Sequence, residues 1–138
     1  MNIEMKNQIG YTSLYKTDLL EIGSVYEDAY LINNDTKENM YIGSFYGDPT
    51  CAFISNDNSW SVVGGEILIL IKDFKLISIN EIKDIFALKP MDENNIQILT
   101  DPWAEDSSIW QLNIESMECI RIQSFDKYKE EYTEDIDW

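Results

Sequence analysis

Apolar positions along most of this chain come in short β-branched or aromatic runs, each broken after several residues by Gly, Asn, Asp or Pro. That punctuation is the signature of antiparallel strands joined by hairpins, since turn residues release the backbone from the extended state that the runs favour. Tyr30–Ile32 leads into the polar segment Asn33–Asn39, and Met40–Tyr46 follows and stops at Gly47-Asp48-Pro49, which predicts one hairpin. Cys51–Ile54, the turn Asn56-Asp57-Asn58 and Trp60–Val63 predict a second. Gly64-Gly65 then suits a primed two-residue turn, where positive φ is required, before Glu66–Ile71. Phe74–Ile79, Ile96–Leu99, Ile109–Leu112 and Glu118–Gln123 continue the series, with turns at Lys72-Asp73 and around Asp101-Pro102. The expectation is a mainly β chain, a meander of about eight strands in a single domain over residues 1–138, forming a curved sheet or a small sandwich.

Two stretches read either way and keep an α+β fold with one or two short helices open. In Ser78–Lys89, Ser78 and Glu81 have capping-box spacing, and Ile82, Ile85 and Phe86 share a helical face before Pro90. In Tyr11–Gly23, Leu14, Asp18, Leu19 and Ile22 permit a helix ending at Gly23, although Leu19–Ile22 could equally be extended. A faint similarity links Phe53-Ile54-Ser55-Asn56-Asp57 to Ile98-Leu99-Thr100-Asp101, each followed by a polar turn with a Trp and another strand. The separation is about that of a propeller-blade repeat, but two copies are too few to close a propeller, so chance agreement between hairpins is the stronger reading.

Charge changes this picture from fold to partner. Twenty-six acidic groups stand against 10 basic ones, a formal net charge of −16, and residues 91–138 hold half of the acids with only three of the bases. A nucleic-acid or anionic-membrane partner needs clustered Lys and Arg, so neither is expected; a basic protein would be attracted. The N-terminal MNIEMKNQIG has no apolar run of signal-peptide length, and Ile67–Ile71 is too short to span a bilayer, which leads us to expect a cytoplasmic protein. Cys51 and Cys119 are far apart and sit in strand-like runs, so free core thiols are the better reading than a disulfide or a metal site.

Histidine is absent, which removes the commonest general base, the commonest metal ligand and imidazole-dependent triads. Val62-Val63-Gly64-Gly65-Glu66 lacks the spacing of phosphate-cradling glycine loops, and Asn56-Asp57-Asn58 lacks the glycine and the ligand spacing of a calcium loop. No catalytic residues, no cofactor and no metal are therefore expected. Paired carboxylates keep a hydrolase as the weakest alternative, because so acidic a chain produces such pairs by chance.

Binding chemistry has clearer candidates, since interfaces favour aromatic anchors. Trp103 lies in a turn with Asp101, Glu105 and Asp106, an arrangement suited to receiving a Lys or Arg beside an aromatic face; the same ring could instead fold back over the core. Tyr46 and Asp48 form a second candidate, where Tyr41, Gly43 and Phe45 share one strand face, Phe45 toward the core, and Tyr46 points opposite. The acidic tail of about 126–138, with Tyr128, Tyr132 and Trp138, is read as solvated or disordered.

Small size, acidity, aromatic turns, the strand pattern around Ser59-Trp60-Ser61-Val62-Val63-Gly64-Gly65-Glu66 and the lack of a catalytic constellation together resemble the immunity proteins of bacterial polymorphic or contact-dependent toxin systems. The resemblance implies a cytoplasmic inhibitor that covers the active site of a basic toxin C-terminal domain, commonly a nuclease. A non-catalytic binding or scaffold module of a larger assembly is the alternative.

Overall fold

A computed structural model describes residues 5–129, 131–133 and 135–138. Twelve strands follow a 3-10 turn at Met5–Asn7, and they group in chain order into three four-stranded antiparallel sheets. Sheet I holds β1 (Tyr11–Lys16), β2 (Leu20–Val25), β3 (Asp28–Asn33) and β4 (Asn39–Ser44); sheet II holds β5 (Cys51–Ile54), β6 (Trp60–Gly64), β7 (Leu68–Lys72) and β8 (Lys75–Ile79). Sheet III holds β9 (Ile85–Pro90), β10 (Asn95–Thr100), β11 (Ser108–Asn113) and β12 (Cys119–Ser124). The chain is thus mainly β, as its pattern predicts, but it is neither one curved sheet nor a sandwich. Each sheet is a four-stranded meander of the kind that forms a propeller blade, and the first strands meet, β1 beside β5 and β5 beside β9.

Side-chain alternation explains why the middle sheet holds the others. Trp60, Val62, Leu68 and Leu70 point toward sheet III, where Ile85, Ile96, Ile98, Leu112 and Ile114 complete one core. Val63, Ile69 and Ile71 point the other way, onto Ile22, Ala29, Ile42 and Phe45. Because both faces of β7 are buried, Leu68–Ile71 is aliphatic without interruption, where a half-exposed strand would alternate.

Both stretches left open between helix and strand are strands or their connections. Tyr11–Gly23 is the β1–β2 hairpin, tightened by Thr17, whose Oγ1 accepts from Leu20 N at 3.0 Å. Gly23 is not a helix cap: it lies buried within β2, and the Tyr11 ring occupies the space a Cβ would need. In Ser78–Lys89, Ser78 belongs to β8 and Ile85 opens β9, with Asp84 between them at φ 55°. Helical spacing arose there because Ile82 of the connection and Ile85 of the strand insert into the same core.

Gly64-Gly65 is not the primed turn either. Neither glycine has positive φ, and β6 continues through Gly64. The tight turn lies at Asp73-Phe74, both at positive φ, between the paired Lys72 and Lys75. Nor are the two similar segments equivalent: one ends β5, the first strand of its sheet, and the other ends β10, the second. Chance agreement describes those residues, although three blade-like sheets are present.

The termini finish the outer faces. On sheet I, Tyr11 Oη donates to Glu21, and Lys6 Nζ pairs with the same buried carboxylate at 3.2 Å. On sheet III, Tyr128, Ile136 and Trp138 pack over Leu99, Ile109 and Phe125, so the acidic tail is not simply solvated; Glu130 and Glu134 lie outside the described residues. Lys89 sits 4.3 Å above the Trp138 ring, a cation–π contact that adds to this packing.

Two outcomes follow. A Cβ at Gly64 would fall 2.5 Å from Ile85 Cγ2, so Gly64→Ala should cost about 1–3 kcal/mol through overpacking between sheets II and III, read as a lower urea midpoint. An unchanged midpoint would mean that β9 does not approach β6 this closely. Burial alone would raise the Glu21 carboxyl, but hydrogen bonds from Tyr11 and Lys6 outweigh it and hold the group below its ordinary value. A carboxyl lowered by folding contributes stability above its unfolded pKa and loses it as pH falls through the folded one. Glu21→Gln should therefore lower stability at pH 7 and flatten the loss below the ordinary carboxylate range; parallel acid limbs for the two proteins would refute the assignment.

Candidate functional site: an acidic cleft between sheets II and III

The connection into β9 is braced against sheet II through the backbone. Asp84 N donates to Glu66 O at 2.9 Å, and Ile85 N donates to Gly65 O at 2.7 Å. Thr50, just before β5, donates from Oγ1 to Ile85 O at 2.6 Å. From sheet III, Asp101 N donates to Asp84 O at 2.9 Å, and the Asp101 carboxylate accepts from Trp103 N at 3.0 Å in an Asx-type turn. These bonds fix the backbone beneath a cleft of about 490 Å³ at the starts of β5 and β9.

Tyr46, Asp48, Glu66, Asp84, Phe86, Asp101 and Trp103 line this cleft, and among the described residues no Lys or Arg does. Four of the six residues singled out from sequence, Tyr46, Asp48, Asp101 and Trp103, are brought together from turns more than fifty residues apart. Tyr46 is 85% exposed, whereas Phe45 beside it is buried as its strand face predicts. The other two candidates lie outside. Asp106 lines an adjoining cleft of about 390 Å³ that shares Asp84 and Asp101 but also holds Lys83 and Arg121. Glu105 projects into solvent and pairs with Lys129 of the tail at 3.6 Å.

Trp103 answers both of the readings its position allowed. Its ring packs edge-on against Phe86 at 5.3 Å and stacks with Tyr132 at 5.1 Å, so it is half-buried, yet it still forms part of the cleft wall. Its Nε1 is buried without an acceptor among the described residues, an unmet donor in a site otherwise rich in acceptors.

Glu66 and Asp84 were missed by sequence reasoning. Glu66 was visible only as the residue after a glycine pair, and Asp84 could be placed only once β9 was known to begin at Ile85.

Neither thiol is poised for nucleophilic chemistry. Both cysteines are free; burial pushes the Cys51 thiol up to about 11 and, with help from Glu81, the Cys119 thiol up to about 12. Among the described residues, no group of three or more Cys, Asp or Glu is placed to hold a metal ion. No described helix is long and apolar enough to cross a membrane.

No protein-family model matches the sequence, and no curated protein does. Solved structures do share the fold. Over 80% of this chain, Kuenenia stuttgartiensis hydrazine synthase superposes with a TM-score of 0.55 at 15% identity. The tricorn protease superposes over 83% with a TM-score of 0.57 at 10% identity. This chain spans 36% of the first protein and 13% of the second, and at such identities the likeness is one of fold alone.

Proposed function

We propose that this chain is a non-enzymatic cytoplasmic binding protein that receives a basic protein partner in the acidic cleft, and that the partner is a toxin domain, most simply a nuclease, which it neutralises as an immunity protein. The observation that carries the reading is the lining itself: Asp48, Glu66, Asp84 and Asp101 beside Tyr46, Phe86 and Trp103, with no cation among them. Carboxylates so placed can stand where substrate phosphates would sit on a nuclease, while the aromatic faces receive the apolar stems and charged heads of Lys and Arg. The chain's charge of −16 extends this local field and favours fast association with a basic protein. The step from basic partner to toxin rests on the resemblance in composition and strand pattern.

The test expresses this chain together with any small basic domain found encoded beside its gene. Co-expression should protect cells from that domain, and association should slow at least about tenfold as salt rises from low to physiological levels or above. Replacing Asp48, Asp84 and Asp101 together by Asn should weaken binding by about a hundredfold or more without lowering the melting temperature substantially. Protection that survives this triple change, with association insensitive to salt, would sink the cleft as the site, and failure of co-expression to protect would favour the scaffold reading.

A further inference from the structure

The opposite ends of β5 and β9 frame a second cavity, of about 550 Å³, built from all three sheets. Tyr15 contributes from β1, Phe53 from β5 and Trp60 from β6, and Pro90, Met91, Asp92 and Glu93 close the side formed by sheet III. The rings make one tilted wall: Tyr15 and Phe53 lie 5.1 Å apart at 58°, and Phe53 and Trp60 lie 5.5 Å apart at 51°. Trp60 is nearly buried, and its Nε1 donates to Glu93 O at 3.2 Å, which ties the aromatic wall to the loop carrying two of the acids.

Asp57, Asp92 and Glu93 line the cavity with these rings, and among the described residues no Lys or Arg does. Asp57 Oδ1 accepts from Ser55 Oγ at 2.9 Å, Ser59 N at 3.1 Å and Ser59 Oγ at 2.6 Å, which fixes the carboxylate in place. Asp92 is fixed likewise by Asn94 N at 2.8 Å and Asn95 Nδ2 at 3.0 Å. These bonds hold both carboxyls below their ordinary range, so both are charged near neutral pH. The volume falls within the range of small-molecule sites, and half-exposed Met91 adds an adaptable wall.

Fixed negative charge beside clustered aromatic faces selects one ligand chemistry. An anion is repelled, and a hydrated metal ion gains little from apolar rings. An organic ammonium gains on both counts, from the ring quadrupoles within about 6 Å and from the carboxylates. We propose that this cavity binds a small organic ammonium cation, quaternary or alkylammonium, against Tyr15 and Phe53, with Asp57, Asp92 and Glu93 as its counter-charge. The cation can be free or carried on a lysine side chain.

The experiment follows backbone amide shifts of the full chain during titration with choline, N-acetyl-trimethyl-lysine amide and the neutral choline isostere 3,3-dimethyl-1-butanol. Both cations should give saturable shifts at Phe53, Trp60, Met91 and Asp92 with millimolar affinity, and the neutral alcohol should give none. Either ranking of the two cations supports the site, and their ratio identifies the source. Asp92→Asn with Glu93→Gln, both exposed positions, should weaken binding about tenfold, whereas the triple Asn variant of the acidic cleft should bind choline unchanged. Equal binding of the neutral alcohol, or no saturable shift by ~50 mM choline, would overturn the assignment.

Discussion

Burial of sheet II on both faces is the constraint on which the rest of this molecule depends. Both faces of this four-stranded antiparallel sheet are apolar, and a neighbour covers each: sheet I takes Val63, Ile69 and Ile71, and sheet III takes Val62, Leu68 and Leu70. The contact is close enough that Gly64 has no room for a side chain beside Ile85. Because the first strands of the sheets lie side by side, both ends of β5 and β9 become places where loops from different sheets converge. The acidic cleft and the aromatic cavity are those two ends.

This geometry concentrates charge that the sequence spreads out. Asp48, Glu66, Asp84 and Asp101 come from four separate connections, and backbone bonds among Glu66, Asp84 and Asp101 hold three of those connections together. Part of the acidity after residue 91 is spent within the fold, since Glu105 pairs with Lys129 and Asp137 pairs with Lys127. Exposed pairs of this kind contribute little to stability, but they remove those carboxylates from the free field.

Strands with clear alternation or aliphatic runs were legible in sequence, from the β3–β4 hairpin to β12. The strands that were not, β1, β2 and β9, have apolar positions set partly by neighbouring sheets, so Ile82 and Ile85 imitate a helical face. The number of sheets was illegible for a related reason. Propeller-like repetition here is one of topology, and the two segments that look alike occupy different strands of their sheets. Of the cleft, Tyr46, Asp48, Asp101 and Trp103 were visible as aromatic and acidic turns. Their convergence, and the parts played by Glu66 and Asp84, depend on where β9 begins, which local spacing could not reveal. The tail is mostly exposed, as its polar composition suggests, but Tyr128, Ile136 and Trp138 anchor it to sheet III, which composition did not reveal.

The most direct measurement of the central claim is amide hydrogen exchange on this chain, free and mixed with the basic domain proposed as its partner. The account predicts slowed exchange at residues 46–50, 64–66, 84–86 and 101–103 together, because one partner surface would cover turns from both sheets. Protection confined to the outer strands β4, β8 or β12, with these four turns unchanged, would contradict it.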